Sequence, residues 1–162
     1  DNLGSVCLSI VLHPMKLVEP GTSDELERYY RLRWEVLRKP WQQPYGSEKD
    51  ALEAVSIHVM VVEEDYTALG VGRLHFNTVG IGQVRYMAIL ASHRGRGIGN
   101  IILSALEQRA RQQGAREIVV NARNSAVGFY ERNGYVTVGP AHTLYDSIVH
   151  TRMLKILRSL SE

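Results

Sequence analysis

The chain has 162 residues, 44% of them hydrophobic, which suits one domain with a single sizeable core. Its 19 basic and 17 acidic residues leave a net charge of +2, which excludes a protein whose whole surface serves nucleic acid or an anionic membrane. The one cysteine, Cys7, has no intrachain partner, and no Cys/His cluster shows zinc-ligand spacing, so a cytoplasmic location and a chemistry without metal are expected.

The apolar run 6–12 follows Asp1 rather than a basic segment and is too short to span a bilayer, so no targeting or membrane role is expected. Met15-Lys16-Leu17-Val18 reads as a natural start, with residues 1–14 an N-terminal extension and 15–162 one domain. A short strand over 15–19 closes at Pro20-Gly21. Ser23 or Asp24 can then cap a helix running to about Arg38, because Leu26, Tyr29, Tyr30, Trp34 and Leu37 fall at three- and four-residue steps. Residues 39–47 hold two prolines and a glycine and form a loop that carries Trp41 and Tyr45.

A short helix is expected over 49–54. Three β-type runs follow, at 56–63, 68–79 and 83–90, with hairpin-sized separators that make them antiparallel neighbours. The period then changes. Ile98, Ile101, Ile102, Ala105 and Leu106 follow helical spacing up to Gly114, and 117–120 is a buried-type strand. The fourth strand, this helix and the fifth strand make a βαβ unit with parallel strands. A short helix over 125–132 ends at Asn133-Gly134, another strand begins over 135–138, and a last strand over 148–157 completes the chain. No repeat or linker interrupts it.

The junction Arg94-Gly95-Arg96-Gly97-Ile98-Gly99 places three glycines and two arginines between strand and helix. Glycines let backbone N–H groups converge, and a helix N-terminus adds partial positive charge, so the stretch suits a phosphate. A Walker loop would need a Gly-Lys-Ser/Thr ending, and a dinucleotide fingerprint would need glycine where Asn100 stands. Neither fits.

The pattern Arg94-x-x-Gly97-x-Gly99 after a strand resembles the pyrophosphate-binding motif of the GNAT superfamily of acyl-CoA-dependent N-acyltransferases. Residues 125–135, Ser-Ala-Val-Gly-Phe-Tyr-Glu-Arg-Asn-Gly-Tyr, are similar to the later motif of that superfamily, in the expected order and spacing. The resemblance covers about 55–140. It implies an α+β domain whose central, mostly antiparallel mixed sheet splays between strands four and five and is flanked by helices.

It further implies acetyl-CoA as cosubstrate. Its pyrophosphate would lie on Arg94, Gly95, Arg96, Gly97, Ile98 and Gly99, its pantetheine arm along Met87 and Ile89, and Phe129 would be a further contact. A backbone N–H near Met87 or Ala88 would stabilise the oxyanion, and Tyr130 would protonate the leaving thiolate. Some branches carry a glutamate where Gln83 stands, so the base falls to His75, His150 or water. His150 gains support from an ElaA-like bacterial branch with a histidine in this late strand. Arg123 stands where many members have asparagine, and Asn124 after it either holds the pantetheine or caps the next helix.

The acceptor is expected to be a primary amine of a small molecule or a protein. Trp34, Trp41, Tyr45 and His75 are candidate walls for a small one. A homodimer is compatible with this reading. A non-catalytic acyl-CoA sensor and an enzyme of another class with a phosphate-containing cofactor are the alternatives.

Overall fold

The computed structural model describes residues 14–158, so the extension expected over 1–14 lies outside this range apart from Pro14. Seven strands run as β1 (Met15–Val18), β2 (Ile57–Glu63), β3 (Ala68–Thr78), β4 (Ile81–Ile89), β5 (Glu117–Arg123), β6 (Val136–Leu144) and β7 (Ile148–Ile156). Helices are α1 (Ser23–Leu37), α2 (Ile98–Gln112) and α3 (Val127–Arg132). One sheet holds all the strands in the order β1-β2-β3-β4-β5-β7-β6, antiparallel except where β4 meets β5. This is the expected α+β architecture.

Strand alternation decides the two outer layers. On one face Val59, Val61, Leu74, Val84, Ile118 and Val120 pack with Ile98, Ile102 and Leu106 of α2 and Tyr130 of α3. On the other, Met60, Val62, Val71 and Ala88 pack with Tyr29, Leu32 and Leu37 of α1. Each fully buried aliphatic side chain contributes about 1.5–3 kcal/mol. Gly70 and Gly72 let α2 settle onto β3, since a Cβ there would meet Ile102 at 2.7 and 2.6 Å.

The cap of α1 is Thr22 rather than Ser23 or Asp24, which form the first helical residues. The Thr22 hydroxyl accepts from the Glu25 N–H at 3.2 Å, and the Glu25 carboxylate accepts from the Thr22 N–H at 3.0 Å. That reciprocal pair satisfies two otherwise orphaned donors. The helix expected over 49–54 does not form. Asp50 and Glu53 turn their carboxylates to Arg73, leaving one 3-10 turn at Glu53–Val55. β5 runs to Arg123, beyond the expected end at 120, and the strand expected to begin over 135–138 is β6, which starts at Val136 and runs to Leu144.

Two features of β4 set up the site. Its parallel pairing with β5 stops after Ile81–Val84 opposite Glu117–Val120, and the strands then part. Opposite β3 the register shifts between Val71↔Ala88 and Arg73↔Arg85, a bulge centred on Tyr86, whose φ is 57°. A non-glycine residue in that region stores strain, so the surroundings must hold it.

Candidate active site between the splayed strands

Where β4 and β5 part, a cleft of about 820 Å³ passes through the sheet. Its walls include the β4 stretch from Val84 to Ile89, Asn121 to Arg123 of β5, and Arg94, Gly95, Gly97, Ile98 and Gly99 after β4. Past Val84 the β4 backbone has no strand partner on its β5 side.

One mouth lies on the α2 face. Gly95 and Gly97 have φ of 78° and 80°, and Gly97 is the residue immediately before α2. The left-handed geometry needs glycine here and turns the loop into the helix start. Gly99 is needed for another reason: a Cβ would meet the Phe129 ring at 3.2 Å, so the first turn of α2 and α3 close on each other. Tyr130 sits between Phe129 and Tyr135, edge to face at 5.1 and 5.4 Å. Burial pushes its phenol well above the usual tyrosine range, so it stays protonated as a proton donor must.

The other mouth lies on the α1 face. Register partners in an antiparallel pair share a face, and Arg123 of β5 pairs with His150 of β7. Arg123 donates to the Leu37 carbonyl at the end of α1, which fixes that face as α1's. His150 is 7% exposed and stacks on His142 at 4.4 Å. Its Nδ1 lies 2.9 Å from the Ile148 carbonyl. In that contact Nδ1 must donate, so the neutral ring keeps its lone pair on Nε2. Burial, then His142 and Arg123, push its pKa below the ordinary histidine value, so the neutral form prevails at pH 7.

A buried polar network braces the bulge. Arg73 grips Asp50 through two bonds of 2.6 and 2.9 Å and Glu53 at 2.8 Å, while Arg33 takes the other Glu53 oxygen at 2.9 Å. Arg33 also donates to the Tyr29 hydroxyl at 2.8 Å, and that hydroxyl donates to the Gly72 carbonyl opposite the bulge at 3.1 Å. The Tyr86 ring lies 4.3 Å from the Arg33 guanidinium and 4.7 Å from those of Arg73 and Arg85.

Of the residues singled out from sequence, Met87, Ile89, Arg94, Gly95, Gly97, Ile98, Gly99, Phe129, Tyr130 and His150 line the cleft, as does Trp41. Arg96, Asn124 and His75 do not. Arg96 is exposed on the loop. Asn124 starts the 3-10 turn before α3, and its side chain caps neither element. His75 is buried between Arg73 and Asn77, each at 3.2 Å, inside the bracing network. Trp34 and Tyr45 pack on each other at 5.4 Å away from the cleft. Arg38, Asn121, Arg132 and His142 line it without having been singled out; only strand alternation, which puts Asn121 on the Arg123 side, hinted at one of them.

The GNAT family acetyltransferase model matches residues 26–135. The chain is 34% identical over 141 residues to an uncharacterised N-acetyltransferase, YjcF, of Bacillus subtilis, covering 87% of this chain and 99% of that one. Among solved structures it resembles Escherichia coli ElaA, with a TM-score of 0.72 at 14% identity over 89% of this chain and 99% of that one. It also resembles an aminoglycoside 6'-N-acetyltransferase complexed with coenzyme A, with a TM-score of 0.71 at 14% identity, covering 88% and 96%. At such identities the two structures speak for the fold alone.

Proposed function

Since the chain belongs to the GNAT acetyltransferase family, we propose that it moves an acetyl group from acetyl-CoA to a primary amine by direct attack. The observation that carries this reading is the cleft's passage through the sheet, with a neutral histidine at the α1 mouth and a protonated tyrosine on the α2 side. The glycine loop and the start of α2 would cradle the pyrophosphate, helped by Arg94. The unpaired β4 ladder near Met87 and Ile89 would pair with the amide-bearing arm, and an N–H near Met87 or Ala88 would take the oxyanion.

The amine nitrogen then bonds to the thioester carbon as its proton passes to His150 Nε2. The C–S bond breaks, and Tyr130 gives its hydroxyl proton to the departing sulfur. Proton acceptor and proton donor thus stand on opposite sides of the reacting carbon.

The binding half is tested by thermal shift: CoA should raise the melting temperature with concentration, because a ligand of the native state stabilises by mass action. Gly97→Glu should abolish that rise while the protein stays folded. No atom lies within 4 Å of a Cβ at Gly97, so the cost is the left-handed φ, about 1–2 kcal/mol, and the new carboxylate repels the diphosphate. Unchanged CoA affinity in the folded variant would remove the cradle. The catalytic half is tested by thiol release from acetyl-CoA across a panel of amines.

The His150 role predicts a pH profile. A base with a lowered pKa works while neutral, so kcat at saturating amine should hold as pH falls past about 6.5 and drop only below it. His150→Gln should lower the plateau and remove that limb. A limb that survives the substitution belongs to another group.

A further inference from the structure

We infer that the acceptor is a small amine bearing an anionic group, a carboxylate or a phosphate, which Arg38 and Arg123 hold; this narrows the acetyltransferase reading above and rests on it. The cleft is lined by Arg38, Arg85, Arg94, Arg123 and Arg132 and by no aspartate or glutamate. Arg94 and Arg132 belong to the glycine loop and α3, where the cosubstrate's phosphates would take them. Arg85 has Asp50 at 3.2 Å. Two cations remain for something else.

Among the described residues, Arg38 and Arg123 donate hydrogen bonds only to backbone oxygens and pair with no carboxylate. Arg38 donates to Ser47 O at 3.2 Å and Leu37 O at 3.0 Å, and Arg123 donates to the same Leu37 O at 3.3 Å. Two guanidinium groups thus converge on one carbonyl, with Arg38 9% exposed. Burial and the charge of Arg38 push the Arg123 pKa down, as expected for like charges drawn together without a counter-charge. An oxyanion with several lone pairs, able to accept from both guanidinium groups, is the group that relieves this arrangement.

The surroundings restrict the acceptor further. Arg123 lies 4.8 Å from the Trp41 ring, which stacks with Tyr145 at 6.5 Å, so its plane is fixed and an apolar shelf lies beside it. Arg123 is the register neighbour of His150, which puts the bound anion within a few bonds of the nitrogen that gives up its proton. That spacing suits an amino acid or a short aminoalkyl phosphate. The volume of about 820 Å³ must also take the acyl-CoA arm, so the part of the acceptor that enters the cleft is small. A polycation would meet arginines with no acid to receive it.

The test compares matched acceptors with acetyl-CoA: free amino acids against their amides, phosphoethanolamine against ethanolamine, and spermidine as the cationic arm. The charged member of the preferred pair should have a kcat/KM about 10- to 100-fold above its neutral partner, the worth of charge-assisted hydrogen bonds. Which pair shows the preference tells carboxylate from phosphate. Arg123→Gln and Arg38→Gln should each shrink the ratio by raising KM for the anion, with the CoA thermal shift retained. An independent readout is the shift from N-acetyl amino acids or N-acetylphosphoethanolamine added with CoA, which should exceed that from their neutral counterparts. Neutral or cationic amines used as well as anionic ones, a ratio that survives both substitutions, or equal product shifts would each overturn the inference. If CoA itself neither binds nor turns over, the acetyl-transfer reading falls and takes this one with it; CoA binding with neutral or cationic acceptors overturns this one alone.

Discussion

Tyr130→Phe is expected to keep acyl-CoA binding and to lose about 10²- to 10⁴-fold in acetyl transfer. The ring's edge-to-face contacts with Phe129 and Tyr135 need no hydroxyl, so the fold and the cleft wall persist. Only the proton for the departing sulfur is lost. Because a thiolate leaves fairly well unaided, the lower end of the range is expected, and kcat and kcat/KM should fall together. Thiol release in single turnover, beside a CoA thermal shift, separates the two effects. Wild-type turnover with chemistry limiting would make Tyr130 structural.

Arg73→Met should cost stability by about 3–5 kcal/mol, read from urea unfolding, because it leaves two carboxylates without the cation that both share. The Arg73 side chain is fully buried, against 25% exposure for that of Asp50 and 13% for Glu53. Arg85 and Arg33 still reach Asp50 and Glu53 at 3.2 and 2.9 Å, so the lower end is expected. Adding Asp50→Asn should recover part of the loss. The pH dependence has a definite sign. The bonds from Arg73, above all, hold the Asp50 carboxyl well below its ordinary range. Its contribution is therefore complete above the unfolded value of about 3.9 and disappears as pH falls through the lower folded value. The variant should lose part of that acid-side slope. A variant as stable as the parent would show that the pair only compensates its own desolvation.

The glycine loop and the short helix at 127–132 were legible because their chemistry is local: residues within a dozen positions make one turn or one helix start. The same holds for the seven strands, whose β-type composition is written into short runs such as 56–63. Thr22 was missed although its signal was present, a glutamate three residues on. The bulge was not legible at all. Tyr86 takes a left-handed φ with no glycine or asparagine to announce it, and the guanidinium groups around it come from α1, β3 and β4. His75 illustrates the same limit, since strand alternation gives its face but not that Arg73 and Asn77 enclose it. Arg38 and Arg123 stand 85 positions apart, and only the closed fold brings both onto Leu37 O.

The parting of β4 from β5 after Val84 also gives the sheet four borders instead of two. Open strand borders invite other chains to add themselves, and proteins ordinarily blunt them. The outer pair is blunted in familiar ways: β1 has four residues and carries Lys16, while β6 contains Pro140 and two register shifts against β7. The inner pair has no such proline. Its protection is confinement between α1 and α2, together with arginines that repel any basic segment. Confinement is permanent, but the repulsion weakens as ionic strength rises, so these inner borders are least defended at high salt.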